Sequence, residues 1–156
     1  MLFKFETIDM KTHSEICFEF RKDSYFLSFE TYAGFEAEMR NYNYRMQHRI
    51  RLIPQGNCHL WLDDQIIGQT EMKLIEETDV GYVSFLYLTP EYRNQGLGKL
   101  LHQHAVEVFS GLGKSTLQLS VSRSNKHALS FYEKHGWVNS GPRAGKEHMF
   151  LMTYAL

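Results

Sequence analysis

The stretch Leu86-Tyr87-Leu88-Thr89-Pro90-Glu91-Tyr92-Arg93-Asn94-Gln95-Gly96-Leu97-Gly98-Lys99 carries the clearest chemistry in the chain. An apolar run stops at a proline, a short polar loop follows, and Arg93-x-x-Gly96-x-Gly98 opens a segment with helical apolar spacing. The first turn of a helix leaves backbone N–H groups unpaired and carries the positive end of the macrodipole. Gly96 and Gly98 remove the side chains that would keep a ligand from those donors. Arg93 and Lys99 add mobile positive charge, and the whole reads as a cradle for a pyrophosphate. A lone Gly-x-Gly more often only shapes a turn. Here strand, loop, arginine and helix come in the order an anion site requires. A dinucleotide-binding fingerprint fits poorly: its third glycine would fall on Leu101, and the chain is too short for a full doubly wound fold.

The same stretch resembles the acetyl-CoA-binding motif of the GCN5-related N-acetyltransferase (GNAT) superfamily, Gln/Arg-x-x-Gly-x-Gly/Ala. A second segment, Asn125-Lys126-His127-Ala128-Leu129-Ser130-Phe131-Tyr132-Glu133-Lys134-His135-Gly136-Trp137, is similar to that family's Asn-x-x-Ala-x-x-Phe-Tyr-x-x-x-Gly-Phe, with Trp137 in the usual phenylalanine slot. The resemblance runs from Val80 to Trp137. It implies a mixed α/β fold in which a mostly antiparallel sheet, containing one splayed parallel strand pair, is flanked by helices. It also implies an acyltransferase that moves an acetyl group from acetyl-CoA to a primary amine by direct attack. The pantetheine arm would lie between Val83–Leu88 and Thr116–Val121, with main-chain contacts from Leu86 and Leu88. The pyrophosphate would rest on Arg93, Asn94, Gln95, Gly96, Leu97, Gly98 and Lys99. Asn125 would bond a pantetheine amide, cap its own helix, or do both.

The resemblance makes Tyr132 the general acid to the CoA thiolate. On spacing alone it is an ordinary core tyrosine, since Ala128, Phe131 and His135 share its helical face. For the base, the family often places a glutamate on the strand before the pyrophosphate loop, near where this chain has Tyr82. Glu71, on the preceding strand, is the other candidate, as is a water held by either residue. Each also reads as a packed tyrosine or a solvated strand carboxylate. The rival of another class is a non-catalytic acyl-CoA-binding module, acting as a sensor or assembly subunit.

The elements that must position these residues follow from periodicity. A weak alternation over Leu2 to Ile8 predicts an opening strand. From Lys11 to Arg51 there are few breakers, and Gly34 divides two expected helices. The second has an apolar stripe of Phe35, Met39, Tyr42 and Met46. Pro54 and Gly56 end that region. His59 to Leu62, Ile66 to Leu74 and Val80 to Leu88 read as three strands separated by polar turns. A helix bearing Leu97, Leu101, Ala105 and Val108 follows, closed by Gly111 and Gly113. Thr116 to Val121 is a strand, Asn125 to His135 a helix ended by Gly136, and Trp137–Ser140 and His148–Tyr154 two closing strands.

A chain of 156 residues with no repeat or linker reads as a single domain, residues 1–156, and 43% hydrophobic content supplies a core. A formal net charge of −1 argues against a protein whose work is gripping nucleic acid or an anionic membrane. The beginning of the sequence does not read as a signal peptide, and no segment is a membrane span, so the expectation is a soluble cytoplasmic protein. Cys17 and Cys58 read as free thiols. His102 and His104 point about 200° apart on a helix and cannot share an ion, so no metal is expected. Gly111-Leu112-Gly113-Lys114-Ser115-Thr116 imitates a P-loop tail but reads as a helix-to-strand turn, because Val108 stands where that motif needs its first glycine. Arg45, His48, Arg49 and Arg51 read as a solvated helix face, with attraction of an acidic substrate as the second reading. Phe26, Phe29, Tyr32 and Phe35 are candidates for a wall of the acceptor pocket, although each also suits the core. The resemblance implies a small-molecule or peptide amine as acceptor. An exposed edge strand near the C-terminus would suit a homodimer.

Overall fold

In the computed structural model, which describes residues 2–156, all seven expected strands form, with turns where the apolar runs stop. β1 (Phe3–Thr7) leads into α1 (Met10–Phe29), α2 (Phe35–Glu38) and α3 (Tyr42–Leu52). β2 (Cys58–Leu62), β3 (Gln65–Leu74) and β4 (Val80–Leu88) follow as a meander. Then come α4 (Leu97–Gly111), β5 (Thr116–Ser122), α5 (Lys126–Lys134) and a hairpin of β6 (Val138–Arg143) and β7 (Lys146–Ala155). The strands form one sheet in the order β1-β2-β3-β4-β5-β7-β6, antiparallel throughout except where β4 meets β5. Among the described residues no helix is long and apolar enough to cross a membrane.

One expectation fails before Pro54. The stripe from Phe35 to Met46 predicts a single helix, and the structure has two. Asn41 takes a left-handed φ of 59° and starts α3 as its N-cap, a conformation asparagine tolerates better than most residues. Phe35, Tyr42 and Met46 are buried all the same. Arg45 bridges the break by donating to the carbonyls of Glu38 at 2.8 Å and Arg40 at 3.1 Å.

α4 buries Leu101, Ala105, Val108 and Phe109, and the last three join a cluster with Leu117, Leu119, Val121, Trp137 and Met152. Gly81 permits the close contact: a Cβ there would stand 2.3 Å from the Phe109 ring. Trp137 is buried, and its indole N–H needs an acceptor, which His102 Nδ1 supplies at 3.1 Å. His104 points elsewhere, as the helical spacing requires. It stacks on Phe5 and lies 2.8 Å from the Gln55 carbonyl through Nε2. Gly111 ends α4 and Gly113 takes a φ of 76°, so the P-loop look-alike is a helix-to-strand turn.

The sheet is interrupted at its centre. β4 and β5 pair at Val80–Thr116, Gly81–Leu117 and Tyr82–Gln118, and no further. At the same place β4 slips against β3: Glu71 opposes Phe85 and Met72 opposes Val83, leaving Ser84 as the extra residue of a bulge. A bulge bends its strand and increases the local twist, and here it swings the second half of β4 away from β5.

Candidate active site

The divergence leaves the β5-facing backbone of residues 83–88 without a strand partner and contributes to a cavity of about 350 Å³. Leu86, Leu119, Val121, Asn125, Ala128 and Tyr132 line it on one side. Ser84 Oγ and Thr89 Oγ1, at the two ends of the diverged stretch, are buried and have no hydrogen-bond partner among the described residues. Buried hydroxyls are seldom left so. An amide-rich arm laid along β4 as a surrogate strand would engage Ser84 and the open backbone together. Asn125 caps α5, its Oδ1 accepting from the Ala128 N–H at 3.2 Å. Its amide nitrogen has no partner among the described residues and remains a donor toward the cavity.

Beyond β4 the chain makes one 3₁₀ turn, Pro90–Tyr92, and enters the glycine loop. Asn94 and Gly96 have φ of 60° and 83°, and the N–H groups of Asn94, Gln95 and Gly96 have no partner among the described residues. Gly96 is the N-cap of α4 and offers no side-chain cap, so the positive end of a fifteen-residue helix stands open beside them. A Cβ on Gly96 would meet nothing within 4 Å, so this glycine serves the backbone turn and leaves the approach clear for an anion. Gly98 has a different reason. A Cβ there would stand 2.9 Å from the Phe131 ring, so Gly98 lets α4 lie against α5.

Arg93 is less mobile than its place in the motif suggests. Its Nε donates to the Leu88 carbonyl at 2.9 Å and its Nη2 to Asp23 at 2.7 Å. The Tyr87 hydroxyl donates to the same Asp23 oxygen at 2.5 Å. Arg93 therefore braces the loop against α1, while Lys99 stands exposed at the loop's edge. Leu88 and the loop residues from Arg93 to Lys99 lie outside the cavity lining, whereas Leu86, Asn125, Tyr132 and Tyr82 share it. Tyr132 is half-buried, its hydroxyl has no partner among the described residues, and burial pushes the phenol up to about 12. It keeps its proton at neutral pH.

At the far end the Tyr82 hydroxyl lies 2.6 Å from Ser120 Oγ, and Arg143 donates to both at 3.4 and 3.2 Å. Glu71 is fully buried rather than solvated. Its Oε2 accepts from the Tyr42 hydroxyl at 2.6 Å, Gln69 Nε2 at 2.8 Å and Arg21 Nε at 3.2 Å. Its Oε1 accepts from Arg49 at 3.2 Å and from Arg21 Nη2. A carboxylate offers about four lone-pair sites, so no acceptor capacity is left for a substrate. Burial works to raise the Glu71 pKa, but Arg21, Tyr42 and Arg49 outweigh it and hold the carboxyl below its usual range. Because the Gln69 amide nitrogen is committed to Glu71, its oxygen faces His59 Nε2 at 2.8 Å and accepts from it. Burial holds His59 neutral, with its pKa pushed down to about 4.

Of the four aromatic wall candidates, Phe29 and Phe35 line the cavity. Phe26 and Tyr32 stack on one another at the surface, 42% and 51% exposed. Arg49 turns inward to Glu71, so the basic stretch of α3 is not simply a solvated face. The sequence reading missed Ser84, Ser120, Arg143 and Asp23. Ser84 left a trace, as the only small hydroxyl in the apolar run of β4; the others left none.

Residues 15–137 match the model of the acetyltransferase (GNAT) family. The chain is 35% identical over 57 residues to N-alpha-acetyltransferase 30 of Schizosaccharomyces pombe, covering 36% of this chain and 38% of that protein. It is 35% identical over 75 residues to spermidine N(1)-acetyltransferase of Thermoplasma acidophilum, covering 48% of this chain and 45% of that one. The matches thus span less than half the length of these curated relatives. In fold, all of the chain aligns with all of the PaiA N-acetyltransferase of Thermoplasma acidophilum, crystallised with coenzyme A, at a TM-score of 0.77 and 22% identity.

Proposed function

Because the chain belongs to the acetyltransferase (GNAT) family, we propose that it moves an acetyl group from acetyl-CoA to a primary amine by direct attack. The observation that carries this reading is the open stretch from the orphaned Ser84 hydroxyl to the unpaired N–H groups of Asn94, Gln95 and Gly96. A ligand with amides along its length and a diphosphate at its end suits both. Acetyl-CoA supplies, when bound, an acyl carbon activated as a thioester. The β4 backbone near Leu86 and the Asn125 amide nitrogen hold the arm, and the α4 end and Lys99 take the pyrophosphate.

Tyr132 lines the same cavity and donates a hydrogen bond to the departing sulfur. Full transfer from a phenol pushed up to about 12 to a thiolate of ordinary basicity, about 8.5, is uphill. Tyr132 therefore steadies the charge as it develops, and the proton released by the amine ends on the thiol. Tyr82 and Ser120 hold the amine, or a water beside it, at the floor of the divergence. Glu71 is a positioning residue that holds Arg21 and Arg49 in the wall.

A non-catalytic acyl-CoA-binding module gains one specific support: the complete engagement of Glu71 removes the obvious base. Calorimetry with CoA and acetyl transfer across a panel of amines separate the two, since tight binding with no transfer to any amine favours the module. In an active enzyme Tyr132→Phe lowers kcat by about 10²–10³, the usual effect of removing one donor to a developing charge, leaves CoA affinity within about threefold, and is partly rescued by thioesters of more acidic thiols. Wild-type kcat with every thiol would make Tyr132 a packing residue.

A further inference from the structure

Past Tyr82 the cleft continues between α1, α3, the end of β3 and the β6–β7 hairpin, and its charge is one-sided. Arg21, Arg45, Arg49, Lys73, Arg143 and Lys146 line it, against a single carboxylate, Glu38. The chain as a whole has a net charge of −1, so this is a local concentration and not general basicity. Arg21 and Arg49 are matched to Glu71. Among the described residues, the other four make no ion pair with any carboxylate. Arg45 is held by backbone carbonyls, Arg143 reaches the Tyr82 and Ser120 hydroxyls, and Lys73 lies 4.9 Å from the centre of the Tyr82 ring.

These cations come from α3, β3 and the β6–β7 hairpin, so only folding brings them together. Lys73 registers their proximity. Burial, and then the like charges of Arg49, Arg143, Lys146 and Arg45, hold its ammonium below the usual lysine range. Gathering cations in a partly desolvated cleft without counter-charges is unfavourable, and an anionic ligand offsets it with charge-assisted hydrogen bonds. A polyamine, cationic along its length, would add to the repulsion. Arg143 also touches Tyr82 and Ser120, which places an anion bound there one side chain from the floor of the divergence.

Resting on the reading of this cleft as the acceptor site, we propose that the acceptor is an amine carrying a carboxylate or phosphate near its nitrogen, recognised by Lys73, Arg143 and Lys146. A free metabolite or the N-terminus of an acidic peptide could present that chemistry. Calorimetric titration, with and without saturating CoA to fill the α4 end, distinguishes them using L-glutamate, glucosamine 6-phosphate and an acidic peptide as probes, against the diamide of L-glutamate, glucosamine, the same peptide with its carboxylates replaced by amides, and spermidine. The anionic amines should bind at least about tenfold more tightly than their neutral counterparts. That difference should collapse in the Lys73→Gln/Arg143→Gln variant and shrink in Lys146→Gln, whose exposed site leaves the fold undisturbed. The larger charge-dependent gain, small molecule or peptide, identifies the source. Spermidine binding as well as the anionic amines, affinities indifferent to the substitutions, or no binding by any probe would each overturn the assignment. Charge-dependent binding without acetyl transfer would support the anion site while counting against the transferase reading, so the two fail separately.

Discussion

The two parts of the candidate site are made of different material. At the α4 end the working groups are backbone: the N–H groups of Asn94, Gln95 and Gly96 and the unpaired edge of β4. At the α1–α3 end they are side chains gathered from afar. Arg21 reaches Glu71 across 50 positions, and Arg143 reaches Tyr82 across 61. A site made of backbone survives most substitutions and fails only where the chain loses its turn. A site made of side chains can be retuned one residue at a time without disturbing the sheet beneath it. The same scaffold can therefore keep one ligand while exchanging the other.

The largest expected effect tests whether the side-chain end stands by itself. Glu71→Gln leaves Arg21 and Arg49 buried without their charge partner, and breaking such a pair costs about 3–5 kcal/mol of stability. Urea unfolding should show that loss, while CoA affinity of the folded fraction stays within about threefold. A parallel loss of CoA affinity would mean that the two ends are one structure.

Acidification should strike the same end next. His59 has a pKa of about 4 in the fold and about 6.5 when exposed, so the unfolded chain takes up the proton first. The stability from keeping it neutral is complete above about pH 6.5 and is lost as pH falls from there toward about 4, an effect of about 3 kcal/mol. Glu71, whose pKa is lowered, adds a further loss below the ordinary carboxylate range. His59→Gln should flatten the pH 4–6.5 slope of unfolding free energy. An unchanged slope would place the sensitivity on other groups, such as His102 and His104, whose pKa values burial also lowers.

The smallest effect belongs to the backbone end. A Cβ at Gly96 would meet no neighbour within 4 Å, yet Gly96→Val burdens a φ of 83° and fills the approach to the N–H groups. CoA affinity should fall at least about tenfold, about 1.4 kcal/mol, with anion binding at the Lys73–Arg143 end unchanged. Unaltered CoA affinity in the folded variant would remove the anion site from this loop. Gly98 is the poorer choice for this test, because its substitution drives α4 off Phe131.

The same contrast explains what could be read from the residues alone. The succession of helices and strands along the chain, the glycine loop and the α5 cap are local patterns, each visible as a run, a breaker or a spacing. Glu71 looked like a solvated strand residue because nothing next to it announces Arg21, Arg49 or Tyr42. Arg143 sat in a closing hairpin with no neighbouring signal. The split between α2 and α3 was hidden because asparagine marks a left-handed turn far less insistently than glycine. His102 shows the converse. Its pairing with His104 invited a metal reading, and its actual partner, Trp137, lies 35 positions away.

With only Val80–Thr116, Gly81–Leu117 and Tyr82–Gln118 joining β4 to β5, the sheet consists of a four-stranded plate and a three-stranded plate sharing a short seam. Phe109 sits over that seam against Gly81 and belongs to one buried cluster with residues of both plates, so α4 covers the seam. Such a seam is the compliant line of the molecule, where small relative rotations cost the fewest hydrogen bonds. An arm lying along β4 would act as a splint across it, and the grip on one ligand would thereby set the shape of the chamber offered to the other.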